Sequence, residues 1–238
     1  MTRVLVGIPW RSQPHRVYAH SLVVERYRDV LPGAAIVDVD TAHEPFCLAG
    51  CRNEIVRRAE AGGYDIAVIG DADTLVEPGP LLAAIQGAAN DTRVHLPYDQ
   101  YRSLREDGTR QHLAGTPLDQ CNHLVVDGAC SGVYVTTPAT WWAHGGQDES
   151  FLGWGFEDAA WRAAHRTLLG CDPVRHPGAV YSLHHQSAAK EGQQYTANAA
   201  RCYRYLQAEG DVEAMRALVE EMPPATMRHS NSPVTNGR

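Results

Sequence analysis

An α/β fold with a mostly parallel central sheet is predicted by three features of the sequence. Val4 to Ile8 and Ile66 to Ile69 are short continuous apolar runs, the pattern of strands buried on both faces, and Ala35 to Val39, apolar but for Asp38, reads as a further strand. The segments between them carry apolar residues at helical spacing. Each run stops at a residue that breaks or turns the chain: Pro9, Asp40 and the Asp71-Ala72-Asp73 stretch. Strands alternating with helices in this way build a parallel sheet joined by crossovers.

Taken in order, Val4 to Ile8 opens the sheet, and residues 10 to 16 form a loop at its carboxyl end. Val17, Leu22, Val23, Tyr27 and Val30 predict a helix over 17–30, ended by Pro32-Gly33. A second helix, from Leu48 to Ala61, places Leu48, Ile55, Val56 and Ala59 on one face, with Gly62-Gly63 beyond its end. After the third strand, Glu77-Pro78-Gly79-Pro80 reads as a turn, followed by a helix from Leu81 to about Ala89 and a strand over Val94 to Leu96. Residues 98 to 120 look irregular, a loop long enough to be a functional lid or a disordered segment. Strands are expected at Leu124 to Val126 and Val133 to Val135. Pro138 opens a short helix with Trp141 and Trp142, and a longer helix runs from Glu157 to Leu169. Residues 193–221 read as a terminal helix interrupted at Gly210, and the polar residues 222–238 as a disordered tail.

The 238 residues suffice for one full core, and 44% are hydrophobic, with no repeat or low-complexity tract. A net charge of -7 argues against a broad nucleic-acid surface, which is normally basic. The cysteines at 47, 51, 121, 130, 171 and 202 form no CxxC pair, so free thiols in a reducing compartment are expected. The N-terminus runs straight into the first strand, without the apolar core of a signal peptide, and no apolar run is long enough to span a bilayer. A cytoplasmic protein is the expectation.

The chain's chemistry gathers in two stretches. Asp71 and Asp73 end a buried strand, where α/β sheets place ligands, and two hard oxygen donors there suit a divalent cation beside a phosphorylated substrate. The alternative is that either Asp simply caps the next segment. Asp40, at the tip of the second strand, is an acceptor for a base or ribose, or else a turn-stabilising Asp. Arg52 and Asn53 face the same cleft or lie on a solvated helix face. The second stretch runs from Gly145-Gly146-Gln147-Asp148-Glu149 to Gly153-Trp154-Gly155-Phe156-Glu157-Asp158. Glycines permit tight turns there. Glu157 and Asp158 fall in the first turn of a helix, where the dipole stabilises them; one of them, hedged by Trp154 and Phe156, could also serve as a general base.

Together these stretches resemble the nucleotide-sugar glycosyltransferases of the GT-A fold. Asp71-Ala72-Asp73 looks like their DxD metal motif, and residues 145–158 are similar to the GGxDE…GWGxED element. That element occurs in β-1,4-galactosyltransferases, polypeptide N-acetylgalactosaminyltransferases and family-two enzymes. The resemblance covers about residues 3 to 190. It implies a Rossmann-like three-layer sandwich with a C-terminal helix, in a single domain over 1–192. Residues 1–97 would bind the nucleotide sugar, and 98–192 would hold the acceptor and catalytic half. It further implies a manganese or magnesium ion held by Asp73 and a late histidine, His185 in preference to His184. One imidazole favours manganese. Asp71 would lie nearer the ribose or a water, beside Ala72. Pro9, Arg11 and Asp40 would wall the nucleotide base, and the Arg52-Asn53 pair would stand near the donor. Asp158 would be the base of an inverting transfer, with Glu157 on the acceptor or sugar. Trp154, with Trp142, would pack on a sugar face or simply in the core. The implied activity moves a hexose or N-acetylhexosamine from a UDP-sugar to an acceptor hydroxyl. Phe156 departs from the pattern by replacing a second glycine, and His184 stands where some relatives have Trp. Residues 98–120 match nothing in the pattern, so the resemblance implies a nucleotide-sugar donor but no particular acceptor, and it implies no oligomeric state.

Two other readings remain. One is a non-catalytic nucleotide-sugar or glycan-binding protein on the same fold. The other is a haloacid-dehalogenase-like phosphohydrolase, since Asp71-Ala72-Asp73-Thr74-Leu75 superficially resembles its DxDxT loop. Leu75 stands where that motif needs Thr, and the only lysine, Lys190, lacks the acidic strand end that should follow.

Overall fold

The computed structural model describes residues 2–186 and 190–221; the expected tail at 222–238 lies outside the described residues. In chain order the strands are β1 (Val4–Pro9), β2 (Ala35–Val39), β3 (Ile66–Gly70), β4 (Thr74–Val76) and β5 (His95–Leu96), then β6 (Gln100–Leu104), β7 (Leu124–Val125), β8 (Val133–Thr136), β9 (Val174–Arg175) and β10 (Ala179–Leu183). The helices are α1 (Val17–Val30), α2 (Leu48–Ala61), α3 (Pro78–Ala88), α4 (Arg105–Leu113), α5 (Pro138–Ala143), α6 (Glu157–Leu169), α7 (Gln193–Gln207) and α8 (Val212–Glu220).

The central sheet has the order β2-β1-β3-β8-β5-β9. It is parallel throughout except for β8, which runs antiparallel to β3 and β5. Pro9 pairs with Val39 and Gly7 with Ile69, so the carboxyl ends of β1, β2 and β3 share one edge. Helices cover both faces. A Cβ at Gly7 would meet Ile55 of α2 and one at Gly70 would meet Tyr27 of α1, and these two positions lie on opposite sides of the pleat. The mixed α/β sandwich with a mostly parallel central sheet is therefore the observed architecture.

A second sheet, β4-β10-β6-β7, flanks the first and was not foreseen. Residues 98–120 are not irregular: they form β6, α4 and a 3-10 turn at Leu118–Gln120. Their polar sequence reads as loop because β6 has only one fully buried residue, Leu104. The expected turn at Glu77 to Pro80 is the start of α3, with Pro78 in the first turn, where its missing N–H costs nothing. The expected terminal helix is a hairpin of α7 and α8, broken between them at residues 208–211.

One buried cluster runs from Leu5 to Leu183, so the two expected halves share a core. A smaller cluster, including Phe151, Ala163, Cys202, Tyr205, Met215 and Leu218, seals α7 and α8 onto α6. All six cysteines are free thiols. No helix among the described residues is long and apolar enough to cross a membrane.

Candidate active site

The shared edge of β1, β2 and β3 carries the candidate residues. Asp71 leaves β3 with its N–H on the carbonyl of Gly132, 2.8 Å away, and Thr74 closes the turn by donating to the carbonyl of Asp71. Ala72 is buried inside that turn. The carbonyl of Asp73 accepts from the N–H of Leu183, at 2.8 Å. This bond joins the Asp pair to β10 and delivers the histidines that follow it.

His185, not His184, faces the pair. Its Nε2 lies 2.6 Å from Asp73 Oδ2, and its Nδ1 donates to the carbonyl of Gln186 at 2.9 Å. His184 keeps its side chain exposed, while its backbone is held by Thr109 and Tyr18. Arg16 Nη2 approaches the same Asp73 oxygen to 3.2 Å. Burial pushes the Asp73 carboxyl up, but the His185 hydrogen bond and the Arg16 charge outweigh it, and the group is held below the usual range. The Asp73 hydrogen bond raises His185 in return.

Asp71 is bound differently. Arg52, fully buried on α2, donates from Nη2 to both its carboxylate oxygens, at 2.9 and 3.1 Å. The same guanidinium donates to Gln147 Oε1 at 3.0 Å, and its Nη1 is 3.5 Å from Glu157 Oε1. It also lies over the Tyr134 ring, 5.0 Å from the centroid. Burial raises the Asp71 carboxyl against the pull of Arg52. Burial and the neighbouring Asp158 charge push the Glu157 carboxyl above the usual range, against the pull of Arg52. Asn53, the next residue, pins the glycine-rich segment. It donates to the carbonyl of Gln147 (2.7 Å) and to Glu149 Oε1 (2.9 Å), and it accepts from the N–H of Gln147 and from Trp141 Nε1. Gly146, at φ +69°, has no room for a Cβ, which would fall 2.6 Å from Asn53 Oδ1.

Arg11 and Asp40, at the tips of β1 and β2, form a bidentate pair at 2.7 and 2.8 Å. Arg11 also reaches Glu44 and lies over Phe46. Pro9, which ends β1, is buried. Both Asp40 oxygens are thus engaged in this state, Oδ1 also accepting from the N–H of Ala42.

Asp158 Oδ1 accepts from the N–H of Ala159, and the Asp158 carbonyl accepts from Cys130 Sγ. Trp154 is 42% exposed, stacks on Tyr195, and carries Lys190 Nζ 4.4 Å from its ring centroid. Trp142 packs beside Arg57. Phe156, the departure from the glycine pattern, has φ +78°, a left-handed conformation that glycine adopts freely and Phe does not. A hollow of about 210 Å³ is lined by Tyr98, Tyr101, Val126, Ala129, Arg162 and Arg175 among others. A larger one, of about 450 Å³, lies apart, between Glu77, His112, Thr116 and Tyr181.

The structure therefore makes three groups at one edge: Arg11–Asp40, Asp73–His185–Arg16, and Asp71–Arg52–Glu157. Sequence reasoning missed Arg16, Gln147 and Tyr134. Gln147 sits inside the GGxDE element and was detectable there; Arg16 and Tyr134 carry no local signal. Among the described residues, no three His, Cys, Asp or Glu side chains converge as a metal cluster.

No family model and no curated protein sequence matches the chain. Its structure, however, is similar to the catalytic domain of Drosophila β1,4-galactosyltransferase 7 in complex with xylobiose. The TM-score is 0.57 at 14% identity, over 84% of this chain and 80% of that one. A mutant of that enzyme, in complex with manganese, UDP-Gal and xylobiose, gives a TM-score of 0.52 at 14% identity, over 83% and 79%. GalNAc-T7 with UDP, GalNAc and Mn2+ gives 0.52 at 13% identity. This chain is covered to 93% there and spans about half of that longer structure, 52%. The fold is that of the GT-A glycosyltransferases. At these identities the GT-A likeness is one of architecture.

Proposed function

We propose that the chain is a metal-dependent glycosyltransferase that moves a sugar from a UDP-sugar to an acceptor hydroxyl with inversion. The observation that carries this reading is the Asp73–His185 contact at the tip of β3, with Asp71 tied through Arg52 to the first turn of α6. One carboxylate and one imidazole, adjacent and partly accessible at 12% and 24%, fit a divalent cation whose remaining ligands are diphosphate oxygens. A manganese or magnesium ion there would act as a Lewis acid on the departing nucleoside diphosphate. In the structure, His185 Nε2 and Asp73 Oδ2 are in direct contact at 2.6 Å.

The remaining roles belong to the chain's own residues. Arg16, 3.2 Å from Asp73, adds positive charge beside the leaving group. Pro9, Arg11 and Asp40 stand where the base of the nucleotide would lie, at the carboxyl ends of β1 and β2. Arg52 fixes Asp71, and Asn53 fixes the loop leading towards Trp154. Asp158 is the base that takes the proton of the acceptor hydroxyl, and Glu157 beside it contacts the acceptor or sugar. The hollow lined by Tyr98, Tyr101 and Arg162 is the approach for the acceptor. The phosphohydrolase reading loses support, because the Asp that would be its nucleophile, Asp71, has both oxygens on Arg52, and Leu75 is buried in β4.

The test is calorimetric titration of UDP with and without manganese, followed by donor turnover. Manganese-dependent UDP binding that disappears in Asp73→Ala supports the reading. Asp158→Asn should keep that binding and lose transfer. Binding without any turnover across a panel of UDP-sugars and acceptors would mark a non-catalytic nucleotide-sugar protein instead.

A further inference from the structure

The C-terminal helix α7 turns a single face towards the glycine-rich loop. Tyr195, Asn198, Arg201 and Tyr205 recur at helical spacing, and each touches residues 148–156. Asn198, 2% exposed, donates from Nδ2 to the carbonyls of Leu152 at 2.8 Å and Gly155 at 3.3 Å. Its Oδ1 is held by Gln194 at 2.9 Å, which fixes the amide's orientation. Arg201 Nε and Tyr205 Oη both bind Asp148 Oδ2, on a carboxylate that is 2% exposed. Asp148 Oδ1 in turn accepts from the N–H of Ser150. Tyr195 stacks on Trp154 and packs against Phe156, with centroids 6.0 and 5.0 Å away.

Residues 150–156 lie in no helix or strand, so their carbonyls depend on partners outside the segment. From the body of the domain, the carbonyl of Phe46 accepts from the N–H of Gly153 at 2.9 Å. We propose that Asn198 and Arg201 are positioning residues. They hold residues 148–155 so that Trp154 and the start of α6, with Glu157 and Asp158, stand opposite the Asp71–Asp73 turn. The hairpin of α7 and α8 is then part of the site's wall rather than an appendage. The link to catalysis rests on the transferase reading; the hold on the loop does not.

The experiment is hydrogen exchange by mass spectrometry on the full chain, paired with titration of UDP plus manganese. In Asn198→Ala, amides of residues 150–158 should exchange about tenfold faster or more, with β1, β2 and β3 unchanged. Asn198→Leu nearly keeps the size but removes both donors without adding a charge, so it should loosen the loop at least as much; a role in packing alone would leave it near wild type. Affinity for UDP plus manganese should stay within about twofold, because among the described residues the ion pairs of Arg11, Asp40 and Asp73 run to residues 11–44 and His185 rather than to α7. Arg201→Met should loosen residues 148–152 in the same way. Unchanged loop exchange in all three variants overturns the proposal, and so does equal acceleration throughout β1–β3. Failure of wild type to bind UDP would sink the transferase reading and leave the exchange result to decide the positioning role on its own.

Discussion

Arg52 Nη2 grips both oxygens of Asp71, at 2.9 and 3.1 Å, from a helix on the face of the sheet opposite α1. The same guanidinium stands 3.5 Å from Glu157, so one buried cation serves carboxylates from both halves of the candidate site. Losing a partner from a buried pair strands a charge, which costs more than the pair itself contributes. Arg52→Met should therefore lower stability by about 3–5 kcal/mol in urea denaturation. Adding Asp71→Asn should recover part of that loss, because the stranded charge is gone. Strictly additive losses would show that the two side chains act independently.

His185 reaches Asp73 through Nε2 while its other nitrogen is fixed by the carbonyl of Gln186. A ring oriented in this way presents one nitrogen to the Asp71–Asp73 turn, where the proposed ion would sit. His185→Ala should weaken manganese-dependent UDP binding by about 10–100-fold, while binding of UDP without metal changes little. The matching substitution His184→Ala should leave both unchanged, since that side chain points to solvent. Calorimetry on the two variants separates the histidines.

Three buried histidines make the fold acid-sensitive. Burial pulls His144 down to about 3, and His165 and His95 down to about 4, from an ordinary 6.5. His144 donates from Nδ1 to the carbonyl of Thr140 and accepts from Trp161 Nε1 at 2.7 Å, an arrangement that requires the neutral ring. Unfolding frees all three rings to take protons below 6.5. The unfolded chain then binds more protons, and stability falls as the pH drops from 6.5 towards 4. Urea midpoints should be higher at about pH 7.5 than at about pH 5.5, with a loss of roughly 4 kcal/mol, about 1.3 kcal/mol for each ring. A flat profile over that window would contradict the assignment.

Phe156 sits at φ +78° with its ring against Tyr195. Removing the ring loses packing in any variant, but only glycine also relieves the backbone. Phe156→Gly should therefore be more stable than Phe156→Ala by about 1 kcal/mol, the reverse of their helix preferences. Thermal unfolding of the two variants measures the difference directly.

The parts of the fold legible in the sequence are those whose signal is local. The bounds of α1, β2 and α2 follow from apolar periodicity and the breakers at their ends, and the Asp pair declares itself by ending an apolar strand. The second sheet was hidden because β4 and β7 have only three and two residues, too few for alternation to show, and because β6 is polar. Gly108 and its polar neighbours suggested a loop; the glycine lies inside α4 because a Cβ there would fall 1.9 Å from the Asn122 carbonyl oxygen. Within the site, residue types were readable but pairings were not. Asp40 looked like a free acceptor, yet Arg11, 29 residues earlier, occupies both its oxygens. Arg52 looked like a helix-surface cation, and nothing near it in sequence announces that Asp71, Gln147 and Tyr134 enclose it.

The grip of α7 on residues 148–155 sets an order of assembly. A ribosome delivers β1, β2 and β3 first, with Arg52 and the Asp turn already able to meet. Residues 152–155 emerge next, but the amide that holds their carbonyls is still untranslated. The nascent chain thus carries one wall of its cleft well before the other, and only the arrival of Asn198 completes the pair.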